Sequence, residues 1–214
     1  MKTRFLLALI ISGIAFLLAA CVNLNTGRSP GVKLYMLETG LLEAGPKTKA
    51  NLPTGFTIGV GPIKTPQYLN RPMMVTRTGP NEVQSDEFHQ WAESLPENMS
   101  RVMSADLLAL TGAAHSFAFP WRSATPIDVQ VAVNVMQFDV SPDGNVTLKA
   151  QWSLLLEKGK RVQLTRRSVV TRQARGSGYA DRVAGMSQAL GELTQEVARA
   201  ILQQASHQKQ AGNE

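Results

Sequence analysis

Val129, Val131, Val133 and Val135 alternate with Gln130, Ala132, Asn134 and Met136. A period of two puts one apolar side of an extended chain against a core. The period resumes at Val146, Leu148, Ala150, Trp152, Leu154 and Leu156, after Pro142-Asp143-Gly144, whose residues favour a tight turn. A second turn at Lys158-Gly159-Lys160 leads into Val162 to Gln173. The pattern predicts a three-stranded antiparallel meander.

Elsewhere the period changes. Met186, Leu190, Leu193, Val197, Ala200 and Ile201 recur every three or four residues, which predicts a long amphipathic helix from about Tyr179 to Ala205. Met99, Val102, Met103, Leu107 and Leu110 predict a second, with Ser94 as its cap, Pro96 and Glu97 in its first turn and Gly112 at its end. Shorter strands are expected at Val32 to Leu37, at Phe56 to Val60 closed by Gly61-Pro62, at Met73 to Arg77 and within Glu82 to Trp91, with a loop over Leu41 to Pro53. Six of the eleven prolines fall between Pro53 and Pro96, so this third of the chain should hold short strands and ordered loops. One apolar sheet face and two amphipathic helices imply an α+β domain: a mostly antiparallel sheet with both helices packed on one face.

The amino terminus follows neither period. Lys2 and Arg4 precede the apolar run of Phe5 to Leu18, followed by Ala19-Ala20 and the only cysteine of the chain, Cys21. A basic start, an apolar stretch and small residues at its end make a secretory signal. A membrane-spanning helix is the competing reading, but it needs about 20 apolar residues, and Phe5 to Ala20 supplies 16. Leu18-Ala19-Ala20-Cys21 resembles the bacterial lipobox, in which the cysteine is acylated and becomes the first mature residue; a chance cysteine after an ordinary cleavage site is the alternative. Acyl chains anchor in proportion to the methylenes they bury, about 0.8 kcal/mol each. By the same resemblance Val22, where Asp would retain a lipoprotein at the inner membrane, points to the outer membrane. The expected organisation is a signal peptide over 1–20, a flexible tether over 21–31, one domain over 32–206 and a polar tail over 207–214.

Composition narrows the chemistry. Without Lys2 and Arg4 the mature chain has 20 basic residues against 16 acidic ones, about +4, too mild for a dedicated nucleic-acid binder. An acylated Cys21 leaves no free thiol in the body, which suits an oxidising compartment. Three histidines, His89, His115 and His207, and one cysteine offer little to a metal, and neither metal nor cofactor is expected. Asn98-Met99-Ser100 and Asn145-Val146-Thr147 match the glycosylation pattern but are set aside, since a lipobox implies a bacterium.

No catalytic constellation is expected from the sequence. "GVGP" at 59–62 puts proline where a phosphate loop needs an N–H, so it reads as a strand-end turn. His89 lies among Asp86, Glu87 and Glu93, but no nucleophile accompanies it, and a surface histidine on a polar strand is the simpler reading. Two features could serve binding. Lys158, Lys160, Arg161, Arg166, Arg167, Arg172 and Arg175 crowd the last strand and its turns, where they attract anionic lipid headgroups or protect a sheet edge. "SFAFPW" at 116–121 is an apolar loop, ending in Trp121, that covers the core or meets a partner or membrane.

Residues 59–95 carry a resemblance. Val60-Gly61-Pro62, Tyr68-Leu69, Arg71-Pro72, Val75-Thr76-Arg77 and Trp91-Ala92-Glu93-Ser94-Leu95, with Tyr35-Met36-Leu37 and the lipobox, resemble the ABC-type transport auxiliary lipoproteins, the PqiC (YmbA) family. The resemblance implies a non-enzymatic outer-membrane lipoprotein, held by Cys21, that works with mammalian-cell-entry (MCE) domain membrane proteins moving lipid between membranes. It also implies a homo-oligomeric ring for some members, and no catalytic residues. Pro62 and Pro72 are read as turn formers and Trp91 as the anchor of the first helix; Arg71 pairs with Glu93 or reaches a neighbour. The candidate contacts for partner or lipid are therefore Arg71, Trp91, Trp121, Arg166 and Arg167. The rival readings are an accessory lipoprotein of outer-membrane barrel assembly and, resting on His89 alone, a periplasmic hydrolase.

Overall fold

The meander expected from valine alternation makes up three adjacent strands, including one edge, of a five-stranded sheet. The computed structural model describes residues 31–41 and 52–211, so the signal segment, Cys21, residues 22–30 and most of the expected Leu41 to Pro53 loop lie outside the described residues. Among the described residues there are eight strands and two α-helices: β1 (Lys33–Tyr35), β2 (Thr57–Lys64), β3 (Met73–Gly79), β4 (Glu82–Trp91), α1 (Leu95–Thr111), β5 (His115–Ala118), β6 (Val129–Val140), β7 (Asn145–Leu156), β8 (Arg161–Gln173) and α2 (Tyr179–Ala211). They form one sheet in the order β5-β2-β6-β7-β8 and a second in the order β1-β4-β3.

The fold is α+β, but its sheets are mixed. β6, β7 and β8 pair antiparallel as expected, whereas β2 runs parallel to both β5 and β6, and β1 runs parallel to β4. Strand direction depends on which distant segments meet, and side-chain period carries no information about that. β2 also does not end at Gly61-Pro62: it continues to Lys64 through a register shift between Val60 and Ile63. Residues 115–118, expected as part of a loop, form the edge strand β5.

One face of the five-stranded sheet is apolar. Ile58, Val60, Val131, Val133, Leu148, Trp152 and Leu154 are almost wholly buried there, α1 lying against β2 and β5 and α2 against β6, β7 and β8. The helices contribute the stripes read from the sequence, Met99, Met103 and Leu107 from α1 and Met186, Leu190, Leu193 and Val197 from α2, each at 3% exposure or less. α1 ends in Gly112 in the left-handed conformation, as a helix stop requires. Ser94 is its N-cap by backbone geometry only, because its hydroxyl makes no capping bond. α2 runs to Ala211, past the expected end near Ala205. Asn98 is fully buried and grips the segment after β1, accepting from Leu37 N at 2.6 Å and donating to Leu37 O at 3.2 Å.

Candidate functional site

The block from Gly59 to Leu95 threads both sheets, and its side chains build a joint, a cleft and an aromatic corner. The joint forms around Asp139 of β6, a carboxylate 1% exposed. Arg77 of β3 donates from Nη2 to Asp139 Oδ2 at 2.9 Å and from Nε to Oδ1 at 3.4 Å. Tyr68 donates to Oδ2 at 3.1 Å, and Gln137 Nε2 to Oδ1 at 2.8 Å. A charge this deep persists only when paired and hydrogen-bonded. Burial first, then the Asp139 charge, pushes the Tyr68 phenol up to about 12. The hydrogen bond to Asp139 raises Arg77 further above its already high value. The joint fastens the small sheet to the large one. Asp139 is not among the residues singled out in the sequence; the available signal is a lone acid inside an apolar strand.

The cleft lies where β4 meets α1. Asn70, Arg71, Pro72, Trp91, Glu93 and Ser94 line a hollow of about 310 Å³. Trp91, 7% exposed, is held by its N–H donating to Pro72 O at 2.8 Å, and Ala92 N donates to Tyr35 O at 2.9 Å. Arg71 and Trp91, 20 positions apart in the sequence, thus share one cleft. Arg71 does not pair with Glu93: Arg101 from α1 takes Glu93 Oε1, at 2.7 Å from Nη2. About two helical turns beyond the cap, Arg101 is within reach of Glu93, and the exposed Arg71 has no ion-pair partner among the described residues.

At the corner, "GVGP" proves to be a packing motif. A Cβ on Gly59 would lie 2.9 Å from Trp121 Cη2 and 3.0 Å from Ile127 Cγ2. Gly61 has φ +123, and a Cβ there would stand 2.5 Å from Phe119 Cβ. Two glycines thereby let residues 119–127 lie on β2. Ser100 Oγ and Phe119 N both donate to Val60 O, at 2.6 and 2.8 Å. Phe119 meets the half-buried Trp121 edge-on at 5.4 Å between ring centres, while Phe117 and Phe119 remain 39% and 46% exposed.

The basic residues do not form one patch. Adjacent strand residues face opposite ways, so Arg166, opposite Trp152 and 6.0 Å above its ring, and Arg172, paired with Glu192 of α2, stand on the helix side. Arg167, opposite Gln151, stands on the other face. Arg161 is paired with Glu157 at 2.7 Å. Arg167 and Trp121 therefore share the helix-free side of the sheet, apart from Arg166.

His89 is not a free surface histidine. Its ring stacks on Tyr179 at 3.8 Å and on Tyr35 at 5.7 Å, joining α2, β4 and β1. Nδ1 lies 3.1 Å from Asp86 Oδ2 but off the angle of a hydrogen bond. The contact with His89 holds the Asp86 carboxyl below the usual carboxylate range. Burial, then the hydrogen bond to Asp86 at 3.0 Å, raises the Tyr179 phenol. The three rings interlock α2, β4 and β1. Among the described residues no His, Cys, Asp and Glu side chains cluster as a metal site, and no helix is long and apolar enough to cross a membrane.

A family model described as "ABC-type transport auxiliary lipoprotein component" matches residues 35–198. No curated protein matches the chain. Among solved structures, protein XCC0632 from Xanthomonas campestris, of the DUF330 family, superposes with a TM-score of 0.69 at 18% identity, covering 84% of this chain and 99% of that one. A second crystal structure, of an uncharacterized protein, gives 0.64 at 19% identity, covering 80% and 99%. At these identities the likeness is one of fold.

Proposed function

The chain belongs to the family of ABC-type transport auxiliary lipoprotein components, and from that membership we propose that it is a non-enzymatic, lipid-anchored subunit that docks on an MCE-domain membrane protein of an intermembrane lipid-transport system. The observation that carries the reading is the family match over nearly the whole folded body. The lipobox ending at Cys21 supports the anchor, and Val22 supports the periplasmic face of the outer membrane. The residues in the familiar block build a joint and a cleft, with no nucleophile beside a base, which suits a docking part. The Arg71–Trp91 cleft is the proposed partner contact, because it presents an exposed arginine with no ion-pair partner among the described residues beside a hollow whose wall is fixed by the buried Trp91.

The test is affinity capture of the lipidated protein from detergent-solubilised envelopes, with partners and the amino-terminal peptide identified by mass spectrometry. The expected result is co-purification of an MCE-domain protein and an acylated Cys21, both lost in Cys21→Ala. Capture of an outer-membrane barrel alone, or an unmodified Cys21, would overturn it.

A further inference from the structure

The helix-free face of the five-stranded sheet has a consistent charge. Lys64, Asn134, Gln151 and Arg167 stand opposite one another on β2, β6, β7 and β8, in one row across the sheet. Strands lie about 4.8 Å apart, so the two cations at its ends are separated by roughly 14 Å. Lys149 stands in the next row, opposite Gln137 and Val169. Lys64, Lys149 and Arg167 are all exposed. Among the described strand residues on this face the one carboxylate, Asp139, is buried and taken by Arg77. Between the cations stand exposed apolar side chains, Met136 at 44% and Val169 at 65%. Phe117, opposite Gly59 on β5, continues the surface to the aromatic corner.

We propose that this face lies against an anionic phospholipid surface. Its cations complement headgroup phosphates and its apolar and aromatic side chains suit the headgroup boundary, the two contributions that hold a peripheral surface on a bilayer. The chain between Cys21 and Val32 spans under about 40 Å even when fully extended, so an anchored domain stays within reach of the bilayer. The inference rests on the lipid-anchored reading of Cys21.

The experiment uses the mature lipidated protein in phosphatidylethanolamine vesicles with and without 30% phosphatidylglycerol. The body has no other cysteine, so a single fluorophore is placed by Asn134→Cys or Val169→Cys, with Ala105→Cys on the exposed side of α1 as control. Labels at 134 and 169 should be quenched by headgroup-spin-labelled lipid when phosphatidylglycerol is present, less so in high salt, while the label at 105 is not. Replacing Lys64, Lys149 and Arg167 with Gln should weaken face-down contact by about fivefold each and roughly a hundredfold together, with an unchanged circular dichroism spectrum. Quenching that ignores phosphatidylglycerol, equal quenching at 105, or shielding that requires an added envelope protein would overturn the inference. Protein that floats with the vesicles but shows no quenching contradicts the face alone; protein that does not float contradicts the anchored reading as well.

Discussion

Asp139 is the carboxylate most completely withdrawn from water in an ion pair here, and three side chains share its two oxygens. Arg77→Ala leaves that charge buried without its cation and should cost about 3–5 kcal/mol in urea unfolding. Tyr68→Phe removes one hydrogen bond to a charged acceptor, about 1.5–3 kcal/mol. The sign of the pH effect follows from the phenol. Its folded value, about 12, lies above its ordinary 10.0, so the stabilisation is complete below pH 10 and is lost as pH rises through 12. Tyr68→Phe should flatten the loss of melting temperature over that window, leaving the smaller part due to Tyr179, which is shifted the same way. Gly61→Ala, at φ +123 and against the Phe119 Cβ, should cost about 1–3 kcal/mol. At Gly59 the obstructing atoms are side-chain tips, so Gly59→Ala should cost less and instead red-shift the fluorescence of a displaced Trp121. Tyr68 and Arg77 both stand in the recognisable block, but their common partner lies 71 and 62 positions further on, and spacing does not reveal such a pairing.

The elements were legible where a period was sustained. The twelve residues of β6 and of β7 alternate without a break in burial until the bulge after Val135, and the α2 stripe holds over four turns. β5 is four residues long and half exposed, and its content, His-Ser-Phe-Ala, carries no alternation that distinguishes strand from loop. The parallel course of β2 was equally hidden, because both of its partners, β5 and β6, lie beyond β3, β4 and α1 in the chain. Burial separates the two sides of these elements energetically. Leu190→Ala on α2, at 0% exposure, should cost about 2–5 kcal/mol, whereas Val169→Ala on the open face of β8 should stay within about 0.5 kcal/mol. Equal costs in chemical denaturation would contradict the assignment of faces.

As a whole the domain is one-sided: both helices cover one face of the large sheet, the small sheet is fastened through Asp139, and the opposite face is free of helices, with Trp121 and Ile127 lying over β2. The α+β class could be read from period alone, while the cleft could not, since Arg71 and Trp91 meet only because β4 returns alongside the turn at Pro72. The proposed division places a transport partner at the cleft and lipid at the open sheet. The most direct measurement is a photo-crosslinking amino acid in place of Arg71 in cells carrying the lipidated protein, with the crosslinked species identified by mass spectrometry. The expected result is a single adduct with an MCE-domain protein, absent when the crosslinker stands at Ala105. An adduct with a barrel protein, or an MCE adduct formed equally from position 105, would contradict docking through this cleft.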